Sequence, residues 1–245
     1  MQVKKTIRSL IPKPLRALAR KAANAVLPTE TIDQSKRKWN MLAEKNARYF
    51  VMTDYGKDIS EEQFRASGKK DFDELVARDS LLKDRLSPFN EKTVLEIGCG
   101  AGRITEFFAD AFKEVTGLDI SEKMIAEGKA RLKNKKNVSL VAGDGRYLPL
   151  PDESFDFIFS FIVFQHMPDR ETIVTNLKEI SRVLKRKGVA KIQLRGLPTS
   201  KRNWFYGPSF NESDLPSVLK NINLSVMKTG GTGTRYFWLW LKRTL

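Results

Sequence analysis

A short apolar run that includes one acidic residue and opens into three alternating glycines is the most restrictive feature of this sequence. It reads Val94-Leu95-Glu96-Ile97-Gly98-Cys99-Gly100-Ala101-Gly102-Arg103. The apolar run predicts a buried strand, and the pattern that follows it predicts a helix. Glycines at such a junction let the backbone approach a ligand closely and present N–H groups at the start of the helix. We therefore expect a strand–loop–helix unit that binds a ligand.

From Lys92 onward, short apolar strands alternate with amphipathic helices. The predicted strands are Thr93–Ile97, Glu114–Leu118, Val138–Ala142, Phe155–Phe161, Val189–Leu194, Leu224–Lys228 and Tyr236–Lys242. The predicted helices lie near Arg103–Ala111, Glu122–Leu132, Arg170–Leu184 and Glu212–Asn221. This alternation indicates an α/β fold with seven mostly parallel strands and helices on both faces of the sheet. The stretch Thr229–Thr234 is too short for a crossover helix, so the last strand is expected to be antiparallel.

Two aspartates follow the second and third predicted strands. Asp119 closes the second strand, where a carboxylate can accept both hydroxyls of an adenosine ribose. It could instead cap the next helix, although Ser121 is equally suited to that role. Asp144, in Gly143-Asp144-Gly145, could accept a hydrogen bond from an adenine amine, or it could simply belong to an Asp-Gly turn.

Together, the glycine segment, Asp119 and Asp144 resemble the motifs of class I S-adenosylmethionine (SAM)-dependent methyltransferases, in their order and in their spacing. The resemblance covers about Lys92–Leu245 and implies a Rossmann-like fold, SAM as the cofactor and methyl transfer as the activity. It also implies the residues that bind the cofactor, which would be Glu96, Gly98, Cys99, Gly100, Gly102, Asp119, Ile120, Asp144, Gly145 and Phe161.

The sequence before this region divides into two parts. Residues 29–90 read as an N-terminal helical cap, ahead of a SAM-binding domain at 91–245. They resemble the caps of a methyltransferase subgroup in which aromatic residues help to close the pocket, and the corresponding residues here are Trp39, Tyr49, Phe64 and Gly68. The alternative is that Trp39 and Phe64 only pack against the domain.

Residues 1–28 form a basic amphipathic segment at the start of a chain whose net charge is +15. Apolar residues recur there at helical spacing with Lys and Arg between them, which is typical of an interfacial helix on an anionic membrane. A basic tail, or a helix packed on its own domain, would show the same pattern. The charge favours an anionic partner in either case.

Several classes of protein are disfavoured by what the sequence lacks. No apolar run approaches the ~20 residues that span a bilayer, and no secretory signal is recognisable. The single cysteine excludes an internal disulfide framework and fits a reducing compartment. With one histidine and one cysteine, the expectation is that no metal is bound. We expect a cytoplasmic protein that could also contact the inner face of the membrane.

The segment after the fourth strand, Phe161-Ile162-Val163-Phe164-Gln165-His166-Met167-Pro168, bears on the methyl acceptor. It lacks the Asn/Asp-Pro-Pro-Tyr/Phe tetrapeptide of amino-methylating relatives. Its apolar, aromatic character favours a small-molecule or lipid-like acceptor, whereas a basic and aromatic loop after the fifth strand could bind a glycan or lipid-linked acceptor. His166 could take a hydroxyl proton, which would imply O-methylation, or it could be structural. A loop with Arg195, Arg202, Trp204 and Tyr206 could also contact the acceptor.

Three other functions remain open at this point. An RNA methyltransferase would use the positive charge to hold phosphates, although the charge is concentrated in a tail and not in a recognisable RNA-binding module. A SAM-binding protein without catalysis would keep the same motifs. A nicotinamide oxidoreductase is disfavoured, because the chain lacks a Tyr-x-x-x-Lys pair and an antiparallel last strand is not needed there.

Overall fold

The computed structural model describes residues 30–53, 56–197 and 207–244, and seven strands within these ranges form one sheet. The strands are β1 (Thr93–Ile97), β2 (Glu114–Asp119), β3 (Val138–Ala142), β4 (Phe155–Ser160), β5 (Leu184–Leu194), β6 (Leu224–Gly230) and β7 (Phe237–Arg243). Their spatial order is β3-β2-β1-β4-β5-β7-β6. β7 is antiparallel to both of its neighbours, and the other adjacent strands pair in parallel. The predicted Rossmann-like sheet is thus confirmed.

Seven α-helices of the described residues surround this sheet. They are α1 (Ile32–Val51), α2 (Glu61–Phe72), α3 (Ser80–Leu86), α4 (Thr105–Ala111), α5 (Glu122–Arg131), α6 (Arg170–Val183) and α7 (Leu215–Val218). Thr31 and Ser60 begin α1 and α2 with reciprocal side-chain and backbone hydrogen bonds to Gln34 and Gln63. None of the described helices combines the length and the apolar character needed to cross a bilayer.

The predicted helix at Glu212–Asn221 is wrong in its extent. The structure has a 3-10 turn at Glu212–Asp214 and then the single turn of α7. The Asn211 side chain accepts a hydrogen bond from Ser213 N–H and thereby begins the turn. Asn221 has a φ of 60°, a left-handed conformation that cannot continue a helix. The 3-10 turn and the single α-helical turn therefore cover only Glu212–Val218, and the expected helix does not continue to Asn221.

Apolar side chains are buried on both faces of the sheet, as the strand–helix alternation predicts. On one face, Leu95 and Ile97 of β1 pack with α6 and α7. On the other, Val94 packs with α3 and α4 and with the aromatic pair Phe157 and Phe159 of β4. This burial holds β1 rigidly in the middle of the sheet, directly before the glycine segment.

The helical cap is attached to the sheet through buried contacts as well as surface ion pairs. A Cβ atom at Gly68 of α2 would lie 2.1 Å from the Arg103 carbonyl oxygen, so only glycine allows α2 to approach this closely. Asn40 of α1 accepts hydrogen bonds from the Ser121 hydroxyl and from Lys123 N–H at the start of α5. The cap therefore contacts the two helices that follow β1 and β2.

A buried ion pair joins the end of the cap to β5. Lys191 and Asp79 are 4% and 8% exposed in their side chains, and Lys191 Nζ lies 2.8 Å from Asp79 Oδ2. The same carboxylate oxygen accepts a hydrogen bond from Trp240 Nε1, and the other accepts from Leu82 N–H at the start of α3. Lys191 also donates to the carbonyl of Leu75, in a π-helical turn at 73–77. The pair thus ties two elements of the cap, the π-helical turn and α3, to β5 and β7 of the sheet.

We expect Asp79→Ala to lower the free energy of unfolding by about 3–5 kcal/mol, because it leaves the Lys191 ammonium buried without its counter-charge. Chemical denaturation would measure the loss. Lys69→Ala is the control, since it removes an exposed ion pair with Asp73 and should cost less than about 1 kcal/mol. Equal losses in the two variants would show that the buried pair does not hold the cap.

Candidate functional site

A cavity of about 430 Å³ opens where β1, β2 and β4 end and where α1 passes over them. Ligands in open α/β sheets bind at this edge, and the volume is in the range of small-molecule sites. Nine of the predicted site residues line it, namely Glu96, Gly98, Cys99, Gly100, Asp119, Ile120, Gly145, Phe161 and His166. Gly102 and Asp144 lie outside its lining. The sheet therefore gathers most of the predicted site in one place.

The glycine loop after β1 forms the floor of the cavity. Gly98 has a φ of 76°, and a Cβ atom there would lie 2.0 Å from Val163 Cγ2. The loops after β1 and β4 can therefore touch only if this residue is glycine. Gly102 has a different role, because a Cβ atom there would meet Leu132 of the segment after α5. It serves packing beside the cavity.

Asp119 joins the loops that follow β1 and β2. One carboxylate oxygen accepts a hydrogen bond from Gly100 N–H at 2.9 Å, and the other accepts from Ser121 N–H at 2.8 Å. Ser121 itself caps α5 by accepting from Met124 N–H. The helix cap is thus Ser121, and Asp119 is left facing the cavity. Burial raises the pKa of Asp119, and the two backbone donors partly offset this effect.

Glu96 lies at the end of β1 and is 4% exposed. Its carboxyl accepts a hydrogen bond of 2.6 Å from the Thr105 hydroxyl. Burial raises the pKa of Glu96 to about 8, with the nearby Asp119 charge adding to the effect, while Thr105 and Arg103 oppose it. Cys99 is buried as well, and burial raises the pKa of its thiol well above the ordinary value. Neither group is poised as a nucleophile at neutral pH.

Asp144 adopts the turn role that the sequence left open. It is exposed, and its Oδ1 accepts hydrogen bonds from Arg146 N–H and Tyr147 N–H. The neighbouring Gly145 does line the cavity, and Asn176 holds its carbonyl oxygen at 2.9 Å. The carboxylate thus shapes the loop that carries Gly145, and its contact with an adenine stays a prediction.

Two polar atoms that sequence reasoning missed are buried in the cavity wall. Among the described residues, Ser35 Oγ and Arg103 Nε have no hydrogen-bond partner. The rest of the Arg103 guanidinium is held by Asp71 at 2.6 Å and by the Ser67 hydroxyl at 3.3 Å. A buried unsatisfied polar group costs about 1–3 kcal/mol, so both atoms are expected to meet polar groups of a ligand. Arg103 could have been found from its place after Gly102, whereas Ser35 belongs to no motif.

The cap contributes to the cavity through fewer of the predicted residues than expected. Trp39 lines it, and its ring meets the His166 ring edge-on with centroids 5.6 Å apart. Phe64 is buried with Ala101 and Met124. For Phe64, the packing interpretation is thus the one that the structure supports. Tyr49 and Gly68 are likewise outside the lining, and Arg202, Trp204 and Tyr206 lie outside the described residues.

The remaining wall comes from the segment after β4 and from the loop between β6 and β7. Ile162, Val163, Met167 and Pro168 line the cavity on one side, and Arg235 and Tyr236 on another. This part is mainly apolar and aromatic, whereas Glu96, Arg103 and Asp119 lie on the side of the glycine loop. The cavity therefore has a polar part beside β1 and β2 and an apolar part beside β4.

Comparison with known proteins agrees with this geometry. Residues 95–192 match the family described as "Methyltransferase domain". A demethylmenaquinone methyltransferase of Staphylococcus haemolyticus is 33% identical over 152 residues, which are 60% of this chain and 62% of that protein. The corresponding protein of Staphylococcus aureus is 37% identical over 108 residues, or 43% and 44% of the two chains. The chain thus spans less than two thirds of the length of these curated relatives.

The fold is also that of a solved methyltransferase. The structure of magnesium protoporphyrin IX methyltransferase from Synechocystis, with bound SAH, superposes with a TM-score of 0.63 at 21% identity and covers 86% of this chain and 98% of that one. Residues 95–192 thus match a methyltransferase domain, and the fold agrees with the resemblance to class I SAM-dependent methyltransferases.

The raised pKa of Glu96 predicts how stability depends on pH. The folded state holds a proton on Glu96 up to a pH of about 8, whereas the unfolded chain releases it near ~4.3. Stability is therefore lost as the pH rises through this window, by up to about 1.4 kcal/mol per unit. The Glu96→Gln side chain has no proton to release in this range. The free energy of unfolding of the variant should therefore rise relative to that of the unmodified protein between pH 5 and pH 8.

Chemical denaturation of both proteins across that range measures the effect. Glu91→Gln, at an exposed position in the turn before β1, makes the same chemical change and serves as the control. Parallel stability profiles for Glu96→Gln and the unmodified protein would contradict the assignment of a protonated Glu96.

Proposed function

We propose that this protein binds SAM in the cavity and transfers its methyl group to an apolar, ring-containing small molecule of the quinol type. The observation that carries the proposal is one cavity in which the glycine loop, Asp119 and the unsatisfied Arg103 and Ser35 side chains adjoin an apolar wall. When bound, SAM supplies a methyl group on a positively charged sulfur. The residues of the chain position the two reactants and exclude water.

The polar part of the cavity fits the groups of SAM. Asp119 keeps lone pairs for the ribose hydroxyls while it accepts from Gly100 and Ser121. Ile120, beside Gly145, offers an apolar surface to the adenine ring. The Arg103 guanidinium, with one N–H still to be satisfied, and the nearby Lys70 suit the carboxylate of the methionine part. The glycine loop would then lie against the chain that joins them.

The apolar part of the cavity favours an uncharged ring as the acceptor. Trp39, Phe161 and Tyr236 present aromatic surfaces there, together with the side chain of Met167. Aromatic surfaces recognise flat rings by stacking and by edge contacts. The names of the Staphylococcus relatives, which are demethylmenaquinone methyltransferases, agree with such an acceptor. The predicted O-methylation of a small-molecule, glycan or lipid-linked acceptor stays a prediction.

The described charges give less support to an RNA acceptor. Five basic residues, Arg85, Arg186, Lys187, Lys242 and Arg243, line a groove at the opposite edge of the sheet, where β5 begins and β7 ends. A phosphate backbone held there would not bring a base to the cavity. The basic segment 1–28 lies outside the described residues, so its contact with an anionic membrane stays a prediction.

Methyl transfer is tested with isotope-labelled SAM and the full-length protein. A reduced demethylated naphthoquinone with a short side chain should become labelled, whereas the same compound in its oxidised form, which is a poor nucleophile, should not. Total RNA is the comparison substrate. Labelling of RNA and not of the quinol would overturn the proposed acceptor class, and binding of SAM without labelling of any acceptor would favour a binding protein without catalysis.

Asp119→Ala should weaken SAM binding by roughly 1.5–3 kcal/mol, which is about 10–150-fold, because hydrogen bonds to a charged group are lost. Isothermal titration calorimetry with SAM measures the change. Asp152→Ala is the control, because Asp152 is 70% exposed and pairs with Arg182 away from the cavity lining. Unchanged affinity in Asp119→Ala would remove the assigned role of that carboxylate.

A further inference from the structure

Three buried polar side chains form a row that reaches the wall of the cavity. Gln193 lies on β5, and Gln165 and His166 lie on the 3-10 turn that follows β4. Gln193 and Gln165 are fully buried, and His166 is 8% exposed. Gln193 Nε2 lies 3.3 Å from Gln165 Oε1, and Gln165 Nε2 lies 3.1 Å from His166 Nε2. The row therefore ends on the ring nitrogen of a residue that lines the cavity.

The direction of every hydrogen bond in this row is set at its far end by the backbone. Ile162 N–H, which can only donate, faces the Gln193 side chain at 3.0 Å. The atom of Gln193 that faces it must be the amide oxygen, so the NH2 group of Gln193 is turned the other way. There it donates to the Leu194 carbonyl and to Gln165 Oε1. The amide oxygen of Gln165 is thus the acceptor.

The orientation of Gln165 then fixes the protonation of His166. With its oxygen facing Gln193, Gln165 presents its NH2 group to His166 Nε2. A donor at this distance requires an acceptor, so Nε2 has no proton. A neutral imidazole carries a single proton, which must be on Nδ1. A proton on Nε2 would set two N–H groups against each other in a buried site.

The same row supports a strained part of the cavity wall. Ile162 has a φ of 57°, which is unfavourable for a β-branched side chain and costs on the order of 1–3 kcal/mol. Its N–H is held by the Gln193 oxygen, and its side chain lines the cavity. Strain of this kind persists where the surroundings hold it in place. Gln193 therefore connects the shape of the wall to the state of His166.

We propose that Gln193 and Gln165 are positioning residues that hold His166 with its proton on Nδ1 and with the Nε2 lone pair occupied by the Gln165 NH2 group, so that neither ring nitrogen accepts the proton of the methyl acceptor. The claim about proton transfer rests on the proposed function, whereas the claim about the tautomer of His166 does not. In the transfer, the acceptor atom bonds to the methyl carbon as the bond to sulfur breaks and its electron pair stays on sulfur. The proton of the acceptor is released to water.

The test is a long-range ¹H–¹⁵N NMR spectrum of the tag-free full-length protein, labelled with ¹⁵N-histidine, at pH 8. Since the chain has one histidine, the ring gives a single set of signals. Nδ1 is expected to resonate as a protonated nitrogen and Nε2 as an unprotonated one. The opposite pattern in the unmodified protein would overturn the proposal without the need for any variant.

Gln165→Glu tests whether the row causes this state. A carboxylate accepts but cannot donate, so Nε2 should gain a proton and the two ring nitrogens should exchange their signals. Gln63→Glu makes the same change at the exposed start of α2 and should leave the spectrum unchanged. A folded Gln165→Glu protein whose proton remains on Nδ1 would show that the row does not set the tautomer.

The catalytic part has a separate readout in the quinol assay. His166→Asn keeps a nitrogen near the position of Nδ1 and cannot act as a base. Loss of a general base lowers rates by about 10²–10⁴-fold, whereas we expect His166→Asn to lower kcat by less than about tenfold. A loss in the larger range would overturn this part. If the unmodified protein methylates no acceptor, the proposed function fails while the NMR result still decides the tautomer.

Discussion

The pairing of β1 with β2 on one side and β4 on the other is the constraint on which the site depends. Because all three strands are parallel, their following loops emerge at the same edge of the sheet. The loops then meet in pairs, Gly100 with Asp119 and Gly98 with Val163. The first meeting is a hydrogen bond from a backbone N–H, and the second is close enough to require glycine at position 98. A shift of β1 by one residue would therefore remove the cavity as well as the core packing of that strand.

This arrangement destabilises the folded state mainly through polar groups that are buried without a full set of hydrogen-bond partners. Glu96 is buried strongly enough to be protonated at neutral pH, and Arg103 and Ser35 each keep an unpartnered atom in the cavity wall. These groups would be more stable in water. They are retained where a ligand with several polar groups can complete their hydrogen bonds. Among the described residues, the wall beside β4 contains no such unsatisfied polar atom, which agrees with an uncharged acceptor on that side.

The sequence predicts the part of the site that depends on backbone conformation. Glycines at fixed spacing after a strand, and Asp119 at the end of the next strand, can be recognised because each strand and loop is local in the chain. The antiparallel last strand is predicted correctly. Nine of the eleven predicted site residues line the cavity, and the two exceptions are Gly102 and Asp144. Ser35 could not be predicted, because α1 reaches the cavity only through tertiary contacts with α5. The same limit applies to Phe64 and Gly68, whose partners are Met124 and Arg103.

The protonation of His166 shows why a residue beside a cavity cannot be given a role from its type alone. An imidazole after the fourth strand suggests a base, since its ordinary pKa is near ~6.5. Whether it can act as one depends on Gln165 next to it and on Gln193, which is 28 residues farther along the chain from Gln165. Each side-chain amide has one donor group and one acceptor atom, so the orientation of Gln193 fixes the orientation of Gln165 and the direction of the hydrogen bond to His166. The backbone N–H of Ile162 supplies that direction, so a strained turn in the wall determines which ring nitrogen carries the proton.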